Sequence, residues 1–489
     1  MFVSNRYSNR IAKFIDVVCY ILMRPCLIAF NNFFASYIST IHEKFGKQKI
    51  KDCLVFGPLF AVIFILTLPV AFIGAILWII LCEIRAWKQD RFTFVCLENN
   101  SHEYLRKKYT VVECSQHNIY SVCTANVLLA SEFLGKLNNI NDSTRRSVQI
   151  AKKILDHSGK PVLNTIAYEH AKDTTWTIES KLASVISQFP YIDFLCLQEV
   201  WERCHAMTLI KYLQADFKYF IYDVGEYSWE TNFCMYGSGL MFASKKPVLN
   251  AEFKPFTMRR KHARFSSQGA LCVKVLLHYD LAGRRYVGYL CNLHTQAYQG
   301  EEAVIDKQLS EVSAFISEFR FATTRECEQV CFDIVCGDFN ADNMSPGDED
   351  VRESILFAEY QDFCSQKPGS DYKWTIGTEL RHVAMGDECV RDPESFRRVL
   401  VDDVVRRWYV IDADILVHRA DQVIHTPALG VNGQPEVCPH GGKRRVDRIL
   451  SRKFYAVEVL GYAFVSALGG LTDHLPVCLT FRPWPGRPS

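Results

Sequence analysis

The chain has 489 residues, more than one hydrophobic core fills, so a large domain with additional segments is expected. Lys+Arg 56 against Asp+Glu 54 leaves a net charge of +2, which excludes the basic bias of a sequence-independent nucleic-acid binder, and 49% hydrophobic residues exclude a disordered chain. Nineteen cysteines, scattered and without a C-x-x-C pair, make no disulfide framework and fit a reduced, cytosol-facing protein. Cys327, Cys331 and Cys336 have loose zinc-ligand spacing, but the apolar run "FDIV" lies between the last two and no second pair follows, so core thiols are the better reading.

The N-terminus carries Arg6, Arg10 and Lys13 with Ser4 and Ser8 and no acid before Asp16, a faint likeness to a mitochondrial transit peptide and too polar for a secretory signal. The apolar stretch 14–35 is broken by Asp16 and by Arg24-Pro25, and reads as an interfacial or re-entrant segment. Residues 53–82, "CLVFGPLFAVIFILTLPVAFIGAILWIILC", hold no charge and are long enough to enter a bilayer. Pro58, Pro69 and Gly74 interrupt them, so a bent or re-entrant hairpin stands beside a straight span. Lys44, Lys47, Lys49 and Lys51 precede this stretch and Arg85, Lys88 and Arg91 follow, which places both ends on the cytosolic face. The four lysines are expected either to set topology or to bind anionic headgroups such as phosphatidylserine. The expected division is a membrane-associated region over 1–91, a linker over 92–108 and a catalytic domain over 109–489.

From residue 109 the texture changes to β-rich runs interleaved with helical spacing. Strands are predicted at 119–129, at 191–200, in "YGSGLMFAS", "GALCVKVLLHYD", "RRYVGYLCNLHTQ", "CFDIVCGDFN", "RVDRILSR" and "PVCLTF", and helices over 176–189 and 301–319. This succession implies an α+β domain of packed sheets covered by helices. The polar stretch 348–443 reads as insertions and loops, in which "KWTIGT" is placed near the site.

"VCGDFNADN" (335–343) is an apolar strand that finishes on carboxylates and amides, and Asp338 and Asn340 alternate with Phe339, so they share a face. Other apolar runs end or break the same way: Asn126 in "TANVLL", Glu199 in "FLCLQEV", His294 in "YLCNLHTQ", Asp447 in "VDRIL", and Asp473-His474 in "LTDHLPV". Six such interruptions are hard to assign to six independent turns, and together they point to one polar site. Asn343-Met344-Ser345 is a glycosylation sequon touching that site, and a glycan there would crowd it, which favours a domain kept out of the lumen.

This set and order of residues resembles the endonuclease/exonuclease/phosphatase superfamily, over about 114–482, and the phrases "FLCLQEVWE", "IVCGDFNADN" and "GLTDHLPV" are most similar to neutral sphingomyelinases. Two hydrophobic segments ahead of the catalytic domain resemble the compact vertebrate arrangement. The resemblance implies a DNase I-like four-layer sandwich, two packed mixed sheets flanked by helices, and Mg²⁺-dependent cleavage of sphingomyelin into ceramide and phosphocholine, with Mn²⁺ as a substitute ion. It implies Glu199 and Asn126 as metal ligands, His474 as general base, and Asp447 as the carboxylate that orients its ring. It further implies that Asp338 orients the water or assists the metal, that Asn340 and His294 donate to the phosphoryl group, and that Asp473 stands behind the base or on the metal side. Sphingomyelin in membranes is then the partner, with anionic phospholipid as a second and no nucleic acid. The location is an intracellular membrane with the catalytic domain towards the cytosol; Golgi, plasma membrane, endoplasmic reticulum and mitochondrion all remain open. The competing readings are an inositol polyphosphate 5-phosphatase, which places Trp-Cys where this chain has Arg445-Val446, and an inactive membrane scaffold, against which the complete polar set argues.

Overall fold

The computed structural model describes residues 2–4, 10–43, 47–87, 91–99, 101–110, 118–159, 184–229, 234–297, 302–413, 427, 429–436 and 438–483. Its strands in chain order are β1 (Phe2–Ser4), β2 (Thr93–Cys96), β3 (Tyr120–Leu129), β4 (Val185–Ile186), β5 (Phe194–Val200), β6 (Tyr219–Tyr222), β7 (Met241–Ser244), β8 (Val248–Pro255) and β9 (Gly269–Tyr279). They continue with β10 (Arg285–His294), β11 (Glu328–Asp338), β12 (Tyr360–Asp362), β13 (Ser365–Lys367), β14 (Ser370–Asp371), β15 (Asp447–Arg452), β16 (Val457–Val465) and β17 (Val477–Pro483). The helices used below are α1 (Arg10–Tyr37), α2 (Gly57–Trp87), α3 (His102–Tyr109), α4 (Glu132–Leu137), α5 (Ser143–Leu155), α6 (Arg203–Leu213) and α7 (Val304–Thr323).

Two mixed sheets result, one ordered β1-β2-β6-β7-β5-β3-β17-β16-β4 and the other β12-β15-β11-β10-β9-β8. The β3/β5 and β10/β11 pairs are parallel, and the other neighbours along the smaller sheet are antiparallel. Side chains alternate along each strand, so one set of each sheet faces the other sheet. Val122, Phe194, Leu290, Phe332, Ile334, Ile449 and Phe481 form that shared core. The opposite set packs outward under helices: Ala125, Val127 and Leu197 meet Ile150 and Leu209 of α5 and α6, while Cys291 and Val335 meet Leu309, Val312 and Ile316 of α7. The architecture is helix, sheet, sheet, helix, the four-layer arrangement the resemblance implied.

Several boundaries differ from expectation. Residues 92–108 are no linker: β2 pairs with β6 inside the large sheet, and α3 follows, capped by the Ser101 hydroxyl accepting from the Tyr104 N–H. The alternation of "TFVC" is too short to stand out, and the sheet supplies its partner. Of the helix expected over 176–189, residues 176–183 lie outside the described residues, and Val185–Ile186 form β4 beside β16.

The apolar stretches form one antiparallel pair. α1 runs unbroken through Pro25, and α2 through Pro69, so 53–82 does not fold back on itself at Pro58 or Pro69. Pro58 stands in the first turn of α2, where the missing N–H costs nothing, and one lost bond at Pro69 is small in a helix of 31 residues. A π-helical turn, Asp52–Phe56, leads into α2. Gly74 lets the two helices close, since a Cβ there would lie 2.9 Å from Leu22 Cβ. Lys49–Trp87 is the one helical run among the described residues long and apolar enough to cross a membrane. Both ends of the pair touch the sandwich: Glu43 pairs with Lys136 at 3.0 Å, Asp16 with Arg203 at 2.9 Å, and Arg85 donates to the Gly225 carbonyl at 3.3 Å. Lys49 does not reach outward as expected, because its ammonium donates to the Ile38 carbonyl at 2.6 Å and stabilises the C-terminal end of α1. Lys44 and Lys88 lie outside the described residues.

Candidate active site

The site forms where inward-facing positions turn polar at one end of the sandwich. On β3 the inward series is Val122, Thr124, Asn126; on β5 Phe194, Cys196, Gln198; on β10 Leu290, Asn292, His294; on β11 Ile334, Cys336, Asp338. Each begins in the shared apolar core and finishes on a hydrogen-bonding group, because the space between the sheets opens there. Register then sets the order across the small sheet: His294 is the Cα partner of Asp338, and Asp338 of Asp447.

Asp338 is the centre. Its Oδ2 accepts from Asn126 Nδ2 at 2.9 Å, and its Oδ1 accepts from the Asn340 backbone N–H at 2.9 Å. Asn126 Nδ2 also donates to Glu199 Oε1 at 2.8 Å, so one amide ties the two carboxylates together across the gap between the sheets. The Trp201 indole donates to the other Glu199 oxygen at 3.2 Å. His294 Nε2 stands 3.6 Å from Asp338 Oδ2, and His474 Nε2 3.9 Å from the same oxygen. His474 Nδ1 is bonded to Asp447 Oδ2 at 2.8 Å, which fixes the ring and turns its Nε2 towards Asp338. Donor atoms of Glu199, His294 and Asp338 lie within 4.8 Å of one another, as do those of Asp338, Asp447 and His474. The residues present therefore suit a divalent cation with oxygen ligands.

Local backbone shape is unusual at these positions. Glu199 has φ +58° and Asn340 φ +46°, conformations held only because their surroundings over-determine them. Gly239, whose carbonyl accepts from the Val200 N–H at 2.8 Å, has φ +72° and lies close under Glu199. Gly337, φ +145°, passes so near β10 that a Cβ would sit 2.0 Å from the Leu293 carbonyl oxygen.

Burial works against every charge here, and neighbours decide the outcome. For His474 burial disfavours the cation, but the carboxylates of Asp447 and Asp338 reverse this and raise its pKa well above the ordinary range. Asp447 is pushed up to about 6 by burial, with His474 pulling the other way. Burial would raise Asp338 too, yet the two imidazoles and the Asn126 amide hold it low.

The expected residues thus converge with two qualifications. Asp473 is not one of the clustered donors: its Oδ2 accepts from Asn138 Nδ2 at 3.1 Å and lies 3.6 Å from His382 Nε2. It stands behind the base, where its charge adds to those that favour the His474 cation. Asn126, expected to offer its amide oxygen, presents the nitrogen to the carboxylates while the oxygen accepts from the Leu128 N–H at 3.2 Å. One of Asn340's side-chain N–H groups donates to the Thr295 carbonyl at 3.0 Å. The sequon residue Asn343 is engaged inside, donating to Asp371 Oδ1 at 2.7 Å and to the Lys367 carbonyl at 3.0 Å.

Other residues of the site carried little sequence signal. Beneath it Gln198 Nε2 donates to Asn292 Oδ1 at 2.7 Å and to Thr124 Oγ1 at 3.0 Å, a fully buried polar layer. Their inward parity could have marked them. Thr378, in the stretch read as loops, accepts the N–H groups of Val446 and Asp447 on its hydroxyl, both at 3.1 Å, while Leu475 N–H donates to its carbonyl at 2.9 Å. Arg444 donates to Glu379 at 2.7 Å and to the Asn340 carbonyl at 3.4 Å. So 348–443 is in part the frame of the site, as expected of "KWTIGT", and its other contributions come from contacts far apart in sequence.

Sphingomyelin phosphodiesterase 5 of Danio rerio is 27% identical over 96% of each chain. Sphingomyelin phosphodiesterase 3 of Homo sapiens is 33% identical over 59% of this chain, and that match spans 44% of the human protein's length. Among solved structures, sphingomyelinase C from Streptomyces griseocarneus covers 74% of this chain and 99% of its own with a TM-score of 0.41 at 17% identity. The profile of the Endonuclease/Exonuclease/phosphatase family matches residues 124–474, from the inner face of β3 to His474 itself, and the chain belongs to that family.

Proposed function

We propose that the protein is a membrane-associated, Mg²⁺-dependent sphingomyelin phosphodiesterase that releases phosphocholine and leaves ceramide in the bilayer. The observation that carries this reading is the sharing of Asp338 between the Asn126–Glu199 pair and the His474–Asp447 pair, which sets a candidate base beside a candidate metal position. The relatives named for sphingomyelin support the substrate, in one case along nearly the whole chain.

In this reading Glu199 and Asp338 would hold the ion with His294 in reach, and Asn126 would join them only with its amide turned over. When bound, the ion would supply Lewis-acid polarisation of the phosphoryl oxygens and a positive charge that opposes the His474 cation. His474 takes the proton of the attacking water on Nε2, while Asp447 keeps Nδ1 protonated and the ring oriented. The second N–H of Asn340 and the ring of His294 donate to the phosphoryl group as charge builds. Mn²⁺ can replace Mg²⁺ in an oxygen-rich set. The apolar pair α1/α2 lies in the cytosolic leaflet with both ends against the sandwich, so the catalytic part stays on the cytosolic side. Lys51, exposed at the start of the π-helical turn, is the described lysine best placed for anionic phospholipid.

The test is phosphocholine release from sphingomyelin vesicles by wild type and His474→Ala, with and without Mg²⁺. Release that needs the ion and disappears in the variant is expected. Ion-independent release, or full activity of the variant, overturns the reading.

A further inference from the structure

The last three turns of α2 are fastened to one loop of the sandwich. Trp78 packs edge-on against Tyr227 at 5.4 Å, Cys82 joins Tyr227 and Cys234 in a small apolar cluster, and Glu83 accepts from the Trp229 N–H at 2.6 Å. Beyond Cys234 the chain is bonded to a second loop: the N–H groups of Met235 and Tyr236 both donate to the Phe265 carbonyl, at 2.8 and 2.9 Å. Phe265 ends the 3-10 turn Lys261–Phe265, "KHARF", in which Lys261, His262 and Arg264 are exposed and no acid occurs.

What these contacts line up is an apolar strip outside any core. Trp229 is 64% exposed, Met235 62%, Tyr236 44% and Phe265 54%, and beside Glu83, which holds the Trp229 N–H, the end of α2 leaves Ile84 51% and Trp87 95% exposed. Met235 and Tyr236 also line a cavity of about 860 Å³ together with Trp201, whose indole is bonded to Glu199. Aromatic side chains beside Lys and Arg suit the boundary of a bilayer, where rings enter the headgroup layer and cations meet lipid phosphates.

We infer that Trp229, Met235, Tyr236 and Phe265, with Lys261 and Arg264, form a membrane-docking rim of the sandwich itself, distinct from the helical pair and continuous with it. Its partner is the headgroup layer of a phospholipid bilayer, with anionic lipid favoured by the two cations. The inference rests on the membrane reading above, and it goes further by assigning the catalytic part its own lipid contact at the edge of the site. The rim settles which edge of the sandwich meets the lipid: the edge where Trp201 and Glu199 open, which shortens the path from a headgroup to Asp338.

The test uses the full-length chain carrying a photo-crosslinking phenylalanine at Phe265 or, as a control, at Phe321, which is 92% exposed and sits on α7. Each is irradiated in vesicles of phosphatidylcholine, phosphatidylserine and sphingomyelin. Lipid adducts at 265 well above those at 321 are expected, weakened by Lys261→Glu with Arg264→Glu. Equal adducts at both positions overturn the inference, and so does crosslinking of 265 to a second copy of the chain, which would make the rim a self-association face. This readout needs no turnover, so it stands apart from failure of the proposed activity. Where turnover is present, the ratio of vesicle to detergent-micelle activity falls at least about tenfold in Trp229→Ser with Phe265→Ser, a lower bound for withdrawing two rings from an apolar layer.

Discussion

In the sandwich Phe332 and Ile334 are wholly buried, whereas on α2 Leu66 is 72% and Phe72 65% exposed. The same residue types thus do opposite things in two regions of one chain. In the first, alternation places every second apolar side chain between the sheets, and the polar ends of those series become the site. In the second, a helix apolar all round can hide only one face against its partner, and the rest needs an apolar medium. Hydrophobicity alone therefore does not mark a core here; period and length do.

The largest effect is expected at the site, which belongs wholly to the sandwich. Asp338→Asn and His474→Ala are each expected to lower phosphocholine release about a thousandfold, while Asp473→Asn, outside the donor cluster, stays within about tenfold of wild type. Equal losses in Asp473→Asn and Asp338→Asn, with the fold intact by circular dichroism, would return Asp473 to the machinery.

The next effect compares the two apolar environments directly. Phe332→Ala removes a ring from the shared core and is expected to cost about 3–5 kcal/mol, whereas Leu66→Ala costs less than about 0.5 kcal/mol in detergent. Denaturant midpoints of the two variants measure this. A cost at Leu66 comparable with that at Phe332 would mean that the outer face of α2 is a protein core after all.

A smaller effect concerns pH. Burial pushes the Asp333 carboxyl up to about 6, against the pull of Arg320 at 3.4 Å and the Tyr360 hydroxyl at 2.9 Å. An acid with a higher pKa folded than unfolded keeps its proton in the fold after the unfolded chain has lost it. Its contribution is therefore full below about pH 4 and is lost as pH rises towards about 6. Relative to Asp333→Asn, wild type is expected to lose roughly 2 kcal/mol across that window. Asp333 lies on β11, so the dependence reports on the sandwich. A difference between the two proteins that stays flat from pH 4 to 7 would remove it.

The smallest effect lies at the seam between the regions. Arg203 is 41% exposed in its pair with Asp16, so water screens the pair. Asp16→Asn is expected to cost less than about 1 kcal/mol in a thermal melt in detergent. A larger loss would show that α1 and the sandwich form one cooperative unit rather than two parts in contact.

How much of this was legible beforehand depended on the range of the interaction concerned. The strands ending on Asn126, Glu199, His294 and Asp338 were readable because period-two alternation and a terminal polar residue are local signals. The continuity of α2 through Pro69 was not, since a proline marks a possible break without stating whether neighbours tolerate it. "KWTIGT" is placed near the site from its sequence, and Thr378 stands there on the N–H groups of Val446 and Asp447, whereas Arg444 gives no local signal because it acts on groups brought near only by folding.

The α+β class, the uncharged length of 53–82 and the chemical types gathered at the strand ends follow from composition and spacing along the backbone. That residues 92–108 complete a sheet, that Lys49 turns back on α1, and that Asp473 meets Asn138 while His474 faces Asp338 emerges only from folding. Those outcomes rest on strand register and on which partner lies across a gap, and neither is encoded in any short stretch of chain.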